Sequence, residues 1–220
     1  MLKVHSFTFN PFQENTYLIS GPGGQCLVID PGMSNREEET LLIDYLRQEN
    51  LTPVMLVNTH CHIDHILGNH RIHQMFGLPL AAHRLEQATL DRADQAAMLF
   101  GVNYTPSPPI SVFLDEGQTV ELEGQTLEVV FVPGHAPGHI ALINHSDQWV
   151  MGGDVLFRNS VGRVDLPGCD ARALVDSIRN KFYTLPDAFV VHPGHGPATT
   201  IGFEKEHNYF VNQHQQQLYV

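Results

Sequence analysis

The chain has 220 residues, of which 42% are hydrophobic and 16% charged, and its formal net charge is −12 with histidine neutral. This length and composition predict a single globular domain over residues 1–220 with a substantial buried core. The acidic balance and the scattered basic residues argue against a nucleic-acid partner, which requires clustered lysine and arginine.

The strands and helices are predicted from hydrophobic periodicity and turn residues. Short runs rich in Val, Ile and Leu predict strands near 3–9, 15–20, 25–30, 53–58, 79–82, 125–132, 139–144, 148–152 and 188–192. Helices are predicted over 35–49, 66–76, 84–99, 171–183 and 203–218. Ser34 followed by Glu37 indicates a capping box for the first helix. The proline-rich segment 103–109 predicts irregular structure. Strands precede helices in each half, which favours two mixed sheets with helices on their outer faces.

The sequence carries no signal for a membrane partner. No segment approaches the ~20 apolar residues of a membrane span, and the first residues lack the apolar stretch of a signal peptide. The three cysteines, Cys26, Cys61 and Cys169, form neither a CxxC pair nor a disulfide framework. We therefore expect a cytoplasmic protein, and nothing in the sequence specifies an oligomeric state.

Residues 60–65 read His-Cys-His-Ile-Asp-His, which places three imidazoles and a carboxylate in six positions. Imidazole and carboxylate are ligands for divalent metals such as zinc, iron and manganese. Alternate residues of an extended segment point the same way, so His60 and His62 are placed to meet one ion. Asp64 and His65 lie further along a tightening chain and are placed to meet a second ion. The alternative is a histidine-rich patch that binds no metal.

Other residues of ligand type follow the ends of predicted strands. His60 follows the run 54–57, His135 follows 129–132, Asp154 follows 149–151 and His195 follows 189–191. The carboxyl ends of strands are where α/β sheets place their ligand sites. This placement strengthens the metal-site prediction from the first motif. Of the other nine histidines, His139 is the candidate for a supporting contact, and Cys61 is expected to be structural because its side chain should point away from the metals.

Taken together, the motif His60-x-His62-x-Asp64-His65 with His135, Asp154 and His195 resembles the metallo-β-lactamase superfamily over nearly the whole chain. The segments 12–17 and 28–32 are similar to that family's opening strands. The resemblance implies an α/β fold, a four-layer αβ/βα sandwich of two mixed β-sheets flanked by helices. It also implies two divalent metal ions, with zinc favoured and iron or manganese as alternatives. The implied ligands are His60, His62 and His135 for one ion and Asp64, His65 and His195 for the other, with Asp154 bridging them.

Such a site predicts hydrolysis. Two divalent ions that share a water lower its pKa towards neutrality, so the resulting hydroxide is the expected nucleophile. Asp64 and Asp154 are the predicted catalytic carboxylates, and Asp64 is expected to orient the hydroxide. Thioesters, lactams, lactones and phosphodiesters all fit this chemistry, so the metal ligands do not define the substrate.

The substrate prediction depends on other segments. Residues 155–167, 192–200 and 204–208 resemble the compact type II glyoxalases, which cleave a glutathione thioester of the S-D-lactoylglutathione type to a 2-hydroxy acid and glutathione. Arg163 lies where larger members of that group carry a lysine that contacts a glutathione carboxylate, so it is the predicted substrate contact. Its alternative role is a structural pair with Asp165. That aspartate replaces a tyrosine of the larger enzymes and would repel the same carboxylate.

Two alternatives within the superfamily stay open. The stretch Gly162-Arg163-x-Asp165 also resembles the persulfide dioxygenases, in which two histidines and an aspartate (here His60, His135 and Asp154) hold a single iron. A lactonase or β-lactamase is the other alternative. The run 192–197 favours the hydrolase of glutathione thioesters.

Overall fold

The computed structural model describes residues 1–211 and contains two six-stranded sheets. The first sheet runs in the order β1 (Lys3–Phe9), β2 (Glu14–Ser20), β3 (Gln25–Ile29), β4 (Thr52–Val57), β5 (Leu80–Ala82) and β6 (Ile110–Phe113). Its first two strand pairs are antiparallel and the following three are parallel. This is a mixed sheet, as the sequence predicts.

The second sheet contains the strands of the other half. In chain order they are β7 (Thr119–Leu122), β8 (Gln125–Phe131), β9 (Ile140–Asn144), β10 (Trp149–Gly153), β13 (Val190–Pro193) and β14 (Thr199–Thr200). The spatial order is β14-β13-β10-β9-β8-β7, and only the β10–β13 pair is parallel. A small hairpin of β11 (Leu156–Phe157) and β12 (Ser160–Val161) forms a separate two-stranded sheet.

Three apolar clusters show how these elements stack into four layers. In β2 and β3, Leu18 and Val28 belong to a cluster with the helices of the first half, whereas Ile19 and Leu27 belong to a cluster shared with the second sheet. Successive residues of a strand point to opposite faces, so each buried strand supplies two cores. A third cluster joins the outer face of the second sheet to the helix around Leu174. The predicted αβ/βα sandwich is therefore confirmed.

The helices cover the outer faces of the sheets. They are α1 (Arg36–Gln48), α2 (Ile63–Ile66), α3 (Asn69–Phe76), α4 (Gln87–Leu90), α5 (Ala93–Phe100), α6 (Ala171–Ser177) and α7 (Ile201–His207). A 3₁₀ turn (Arg84–Glu86) precedes α4, and a π-helical turn (Ile178–Phe182) extends α6. No helix within residues 1–211 is long and apolar enough to cross a membrane.

The nine predicted strands agree with the structure to within two residues, and segment 103–109 has no regular structure, as expected. The predictions missed β6 and β7, which are short and carry solvent-facing polar residues, and the two-residue strands. The predicted helix 84–99 is wrong in its continuity, because the chain leaves helical geometry at Arg92 between α4 and α5. The predicted helix 66–76 corresponds to α3, which begins three residues later at Asn69, and the short helix α2 before it was not predicted.

The capping prediction for α1 is wrong by one residue. The side chain of Asn35, not Ser34, accepts hydrogen bonds from the backbone N–H groups of Glu37 and Glu38. The carboxylate of Glu38 accepts from the backbone and the hydroxyl of Ser34. The predicted helix 203–218 begins earlier, at Ile201, and ends at His207. Its portion over 212–218 lies outside the described residues.

Candidate metal centre and substrate cavity

The residues of ligand type all lie beyond strand ends, at one edge of the sandwich. His60 follows β4 of the first sheet, whereas His135, Asp154 and His195 follow β8, β10 and β13 of the second. Hydrogen bonds hold the two sheets together at this edge. The backbone N–H of Asn15 donates to the carbonyl of Gly194 at 2.7 Å, and that of Ile140 donates to the carbonyl of Thr59 at 2.9 Å. Residues of ligand type from both sheets therefore meet in one place.

The first cluster contains His60, His62 and His135. One ring nitrogen of each histidine lies within 4.8 Å of those of the other two. The Nδ1 atom of His62 is 2.8 Å from Nε2 of His135. His62 has an extended backbone and caps α2, so the chain turns into the helix directly after it. This is the change from extended to tightening chain that the sequence analysis expects.

The second cluster contains Asp64, His65 and His195, again with ligand atoms within 4.8 Å of one another. Oδ2 of Asp64 is 3.1 Å from Nε2 of His195 and 3.7 Å from Nε2 of His65. Asp64 and His65 are consecutive residues of the short helix α2, while His195 comes from the other sheet. The structure thus brings together the second predicted set.

Asp154 lies between the two clusters. Its Oδ2 atom is 3.4 Å from Nε2 of His135 in the first cluster and 3.5 Å from Nε2 of His195 in the second. Its Oδ1 atom is 3.5 Å from Nε2 of His65. Gly194 permits this position, because a Cβ atom there would lie 2.1 Å from Oδ1 of Asp154. One carboxylate therefore contacts both groups of side chains.

Hydrogen bonds at the outer ring nitrogens orient the histidines. Nδ1 of His135 is 2.8 Å from the carbonyl oxygen of Arg163, and Nδ1 of His195 is 3.1 Å from that of Phe12. A carbonyl only accepts, so each Nδ1 carries a proton, and each ring is oriented with its Nε2 atom towards the site. The ligand-capable nitrogens of His135 and His195 are thereby fixed.

Asp30, which the sequence analysis did not single out as a site residue, orients two more histidines. Its Oδ2 atom accepts from the Thr59 hydroxyl at 2.6 Å and is 3.2 Å from Nδ1 of His65. Since the one hydroxyl proton of Thr59 goes to Asp30, the Thr59 oxygen is left to accept from Nδ1 of His60 at 3.1 Å. The signal available in the sequence was Asp30 itself, a carboxylate directly after a buried apolar strand.

Two fully buried glutamates were also missed. The Oε1 atom of Glu14 lies 3.8 Å from Nδ1 of His65. The carboxylate of Glu86 accepts from the backbone N–H of Cys61 at 2.7 Å and from that of Gly138 at 2.6 Å. Cys61 lies between two of the clustered histidines, so Glu86 ties the helical wall to the loop that carries them.

His139 and Cys61 lie where the sequence analysis expects them. The Nε2 atom of His139 accepts from the backbone N–H of Asp154 at 3.0 Å, and its ring stacks on that of His60. The Cys61 thiol is buried in the apolar cluster beneath α2, where burial raises its pKa well above the usual range. Neither residue belongs to the two clusters.

The electrostatics of the centre favour positive charge between the carboxylates. Burial lowers the pKa of His60 and of His135, and it lowers that of His62 to about 3, so these rings are neutral. Burial also acts to lower the pKa of His65, but Asp64 and Asp154 outweigh it and raise that pKa well above the usual range. Burial acts to raise the pKa of Asp154, yet His65, His135 and His195 together outweigh it and hold that pKa well below the usual range. Ionised carboxylates and the neutral imidazoles of the first cluster are donors that divalent cations prefer.

Three buried atoms of the ligand-type residues have no hydrogen-bond partner within residues 1–211: Nε2 of His60, Nε2 of His65 and Oδ1 of Asp154. Buried polar atoms without a partner are costly. All three point into the two clusters, so a bound cation would satisfy them. The residues present therefore fit a pair of metal ions.

A cavity of about 860 Å³ opens over the centre, and its lining includes His62, Asp64 and Asp154. One wall comes from α4 and α5 and includes Ala96, Leu99 and Phe100; another comes from the segment 163–168. Most of the lining surface is apolar.

Arg163 lines the cavity, and its side chain is paired. Its Nε and Nη2 atoms contact the two carboxylate oxygens of Asp165 at 2.7 and 2.9 Å. Both groups are more than half exposed. This is the pair that the sequence analysis gives as the alternative to substrate binding.

The sandwich fold and the site at its edge define the class of protein. Residues 9–195 match the model of the metallo-beta-lactamase superfamily, and the chain belongs to this superfamily. It is 35% identical to the hydroxyacylglutathione hydrolase GloC of Haemophilus influenzae, over 96% of this chain and 99% of that protein. It is 32% identical to a probable metallo-hydrolase, YqgX, of Bacillus subtilis, over 96% and 98% of the two chains.

Solved structures show the same fold. The BLEG-1 B3 metallo-beta-lactamase superposes with a TM-score of 0.87 and 34% identity, covering 95% of this chain and 99% of the other. The protein TTHA1623, solved in a di-iron-bound form, superposes with a TM-score of 0.83 and 38% identity, covering 94% and 100%. ETHE1 from Myxococcus xanthus, at 23% identity and a TM-score of 0.80, supports the fold alone.

Proposed function

We propose that this protein is a dinuclear metal-dependent hydrolase that cleaves glutathione thioesters of the S-D-lactoylglutathione type into a 2-hydroxy acid and glutathione. The observation that carries the proposal is the contact of Asp154 with both histidine clusters beneath an open cavity. The 35% identity to a hydroxyacylglutathione hydrolase over almost the whole chain supports the choice of substrate.

In this proposal, His60, His62 and His135 hold one ion, Asp64, His65 and His195 hold the other, and Asp154 contacts both. Zinc is the favoured metal, with iron or manganese as alternatives. When bound, the two ions would supply Lewis acidity and lower the pKa of a bound water. Asp64 lines the cavity and orients the attacking water, and the outer hydrogen bonds of the histidines keep the ligand nitrogens aimed inward.

The apolar wall of the cavity is the proposed binding surface for the substrate. Leu99 and Phe100 are exposed to the cavity, and Phe100 packs edge-on against Phe12 with ring centres 5.7 Å apart. Such a wall contacts the carbon chain of the substrate and leaves its carbonyl over the ligands. The proposed location is the cytoplasm, where the three free thiols stay reduced.

Arg163 is the proposed contact for a substrate carboxylate, and Asp165 competes for it. Arg163→Ala should raise KM for a charged glutathione thioester more than for a neutral thioester. Asp165→Asn should lower KM for the charged thioester, because it releases the guanidinium. Equal effects on both thioesters would show that the pair is structural only.

A β-lactamase activity is the second candidate. The observation that favours it is the similarity to the B3 metallo-beta-lactamase, whose whole length is matched at 34% identity. The open, mostly apolar cavity has room for a bicyclic lactam.

The experiment is a side-by-side assay on protein loaded separately with zinc, iron or manganese. S-D-lactoylglutathione hydrolysis, nitrocefin hydrolysis and O₂ uptake with glutathione persulfide are each measured. The proposal expects the highest kcat/KM with the thioester on protein that holds two ions per chain. Faster lactam hydrolysis would favour the second candidate, and O₂ uptake on protein with a single iron would overturn the proposal.

A further inference from the structure

Arg92 lines the cavity at the junction of α4 and α5. Its backbone leaves helical geometry there, with φ −104° and ψ 5°, and this break separates the two short helices. The neighbours on this wall include the small side chains of Ala88, Ala93 and Ala96. Thr89 and Gln95 add polar but uncharged groups, so Arg92 is the charged side chain of this wall.

The charges in the cavity make Arg92 different from Arg163. Arg163 is held by both oxygens of Asp165, whereas the side chain of Arg92 forms no ion pair, hydrogen bond or ring contact within residues 1–211. The chain has 24 acidic residues against 12 basic ones. Several exposed cations elsewhere on the chain form ion pairs with acids, as Arg84 does with Asp115. Of the two arginines that line the cavity, Arg92 is the one whose guanidinium donors have no partner within residues 1–211.

An arginine with its fork of donors unused binds a carboxylate well, because two parallel N–H groups meet the two oxygens. The thiol half of a glutathione thioester is a peptide that carries two carboxylates. The apolar stretch beside Arg92 leaves room for the peptide backbone, and the ligand clusters open into the same cavity.

We infer that Arg92 binds a carboxylate of the thiol half of the substrate and so selects anionic thioesters. This inference rests on the proposed hydrolysis of glutathione thioesters. Arg92 acts on substrate affinity and takes no part in the hydrolysis itself, so its replacement should change KM and leave kcat nearly unaltered.

The first experiment compares S-D-lactoylglutathione with its dimethyl ester, in which both carboxylates are blocked. Arg92→Gln should raise KM for the charged thioester about tenfold, or ~1.4 kcal/mol, with kcat within about twofold of wild type. KM for the ester should not change, and Arg92→Lys should recover part of the loss. The matched control is Arg172→Gln, since Arg172 is also an exposed arginine whose side chain has no partner within residues 1–211, but it does not line the cavity.

A second measurement does not depend on turnover. S-methylglutathione, which has no thioester to cleave, is titrated calorimetrically into metal-loaded wild type, Arg92→Gln and Arg172→Gln. The inference expects Kd to rise about tenfold in Arg92→Gln alone. An unchanged Kd and KM in Arg92→Gln, with the wild type active on the thioester, would overturn the role of Arg92 and leave the proposed function standing. A wild type that neither binds nor hydrolyses glutathione compounds would overturn both.

Discussion

Replacing Glu86 with glutamine tests whether this carboxylate joins the helical wall of the cavity to the two loops that carry clustered histidines. Glu86 is fully buried, and its two carboxylate oxygens accept from the backbone N–H groups of Cys61 and Gly138. One of these loops carries His60 and His62, and the other leads back to His135. Glutamine keeps one acceptor oxygen and turns an NH₂ group towards the other N–H.

The expected cost follows from these contacts. One buried backbone N–H loses its acceptor, which costs about 1–3 kcal/mol. A hydrogen bond to a charged acceptor becomes a neutral one, which adds to the loss. Removing a buried charge offsets part of it, since burial raises the pKa of Glu86 against the effect of the two backbone donors. We expect Glu86→Gln to lower the free energy of unfolding by about 2 kcal/mol.

The assay is urea unfolding of metal-free protein in the presence of a chelator, so that metal affinity does not enter. Glu206→Gln is the matched control, because Glu206 is exposed on α7, and we expect it to stay within about 0.5 kcal/mol of wild type. If Glu86→Gln also stays within that margin, the carboxylate does not hold the two loops together and the reasoning fails.

Three further predictions concern the surroundings of the centre. Gly194→Ala should abolish metal binding while circular dichroism still shows a folded protein, because the added Cβ lies 2.1 Å from Oδ1 of Asp154; bound metal at wild-type levels would refute this. Asp30→Asn should weaken metal binding about 10–100-fold in a chelator competition, because it disturbs the contact that orients His65; an unaltered affinity would remove Asp30 from the site. His192→Phe should make the metal-free protein less sensitive to acid. Burial lowers the pKa of His192 to about 4 in the folded chain, against about 6.5 unfolded, so wild type loses up to about 3 kcal/mol as pH falls through this range; parallel stability curves for the two proteins would contradict the assignment.

Much of the fold was predictable from local patterns. The interior strands are continuous apolar runs because they face two cores, and their ends are marked by glycine, proline or a polar residue. The meeting of the ligand-type residues at one edge was predictable for the same reason, since His135, Asp154 and His195 each follow such a run. The edge strands were missed because their solvent-facing residues break the apolar signal.

The contacts that complete the site depend on the tertiary structure. Glu86 reaches Gly138 across 52 positions of the chain, and a buried acid in a helical pattern gives no sign of that partner. The break of the helix at Arg92 was hidden because the apolar spacing continues through it. The pairing of Arg163 with Asp165 was foreseen only as an alternative, because residues two apart meet only when a loop folds around them.

Metal stoichiometry is the most direct test of the central claim that Asp154 joins two ions in one hydrolytic site. Wild type and Asp154→Asn are purified in parallel, and metal per chain is measured together with hydrolysis of S-D-lactoylglutathione. The account predicts about two divalent ions per wild-type chain, with loss of bound metal and of hydrolysis in the variant. A single ion per wild-type chain, or a variant that keeps both ions and full activity, would contradict it.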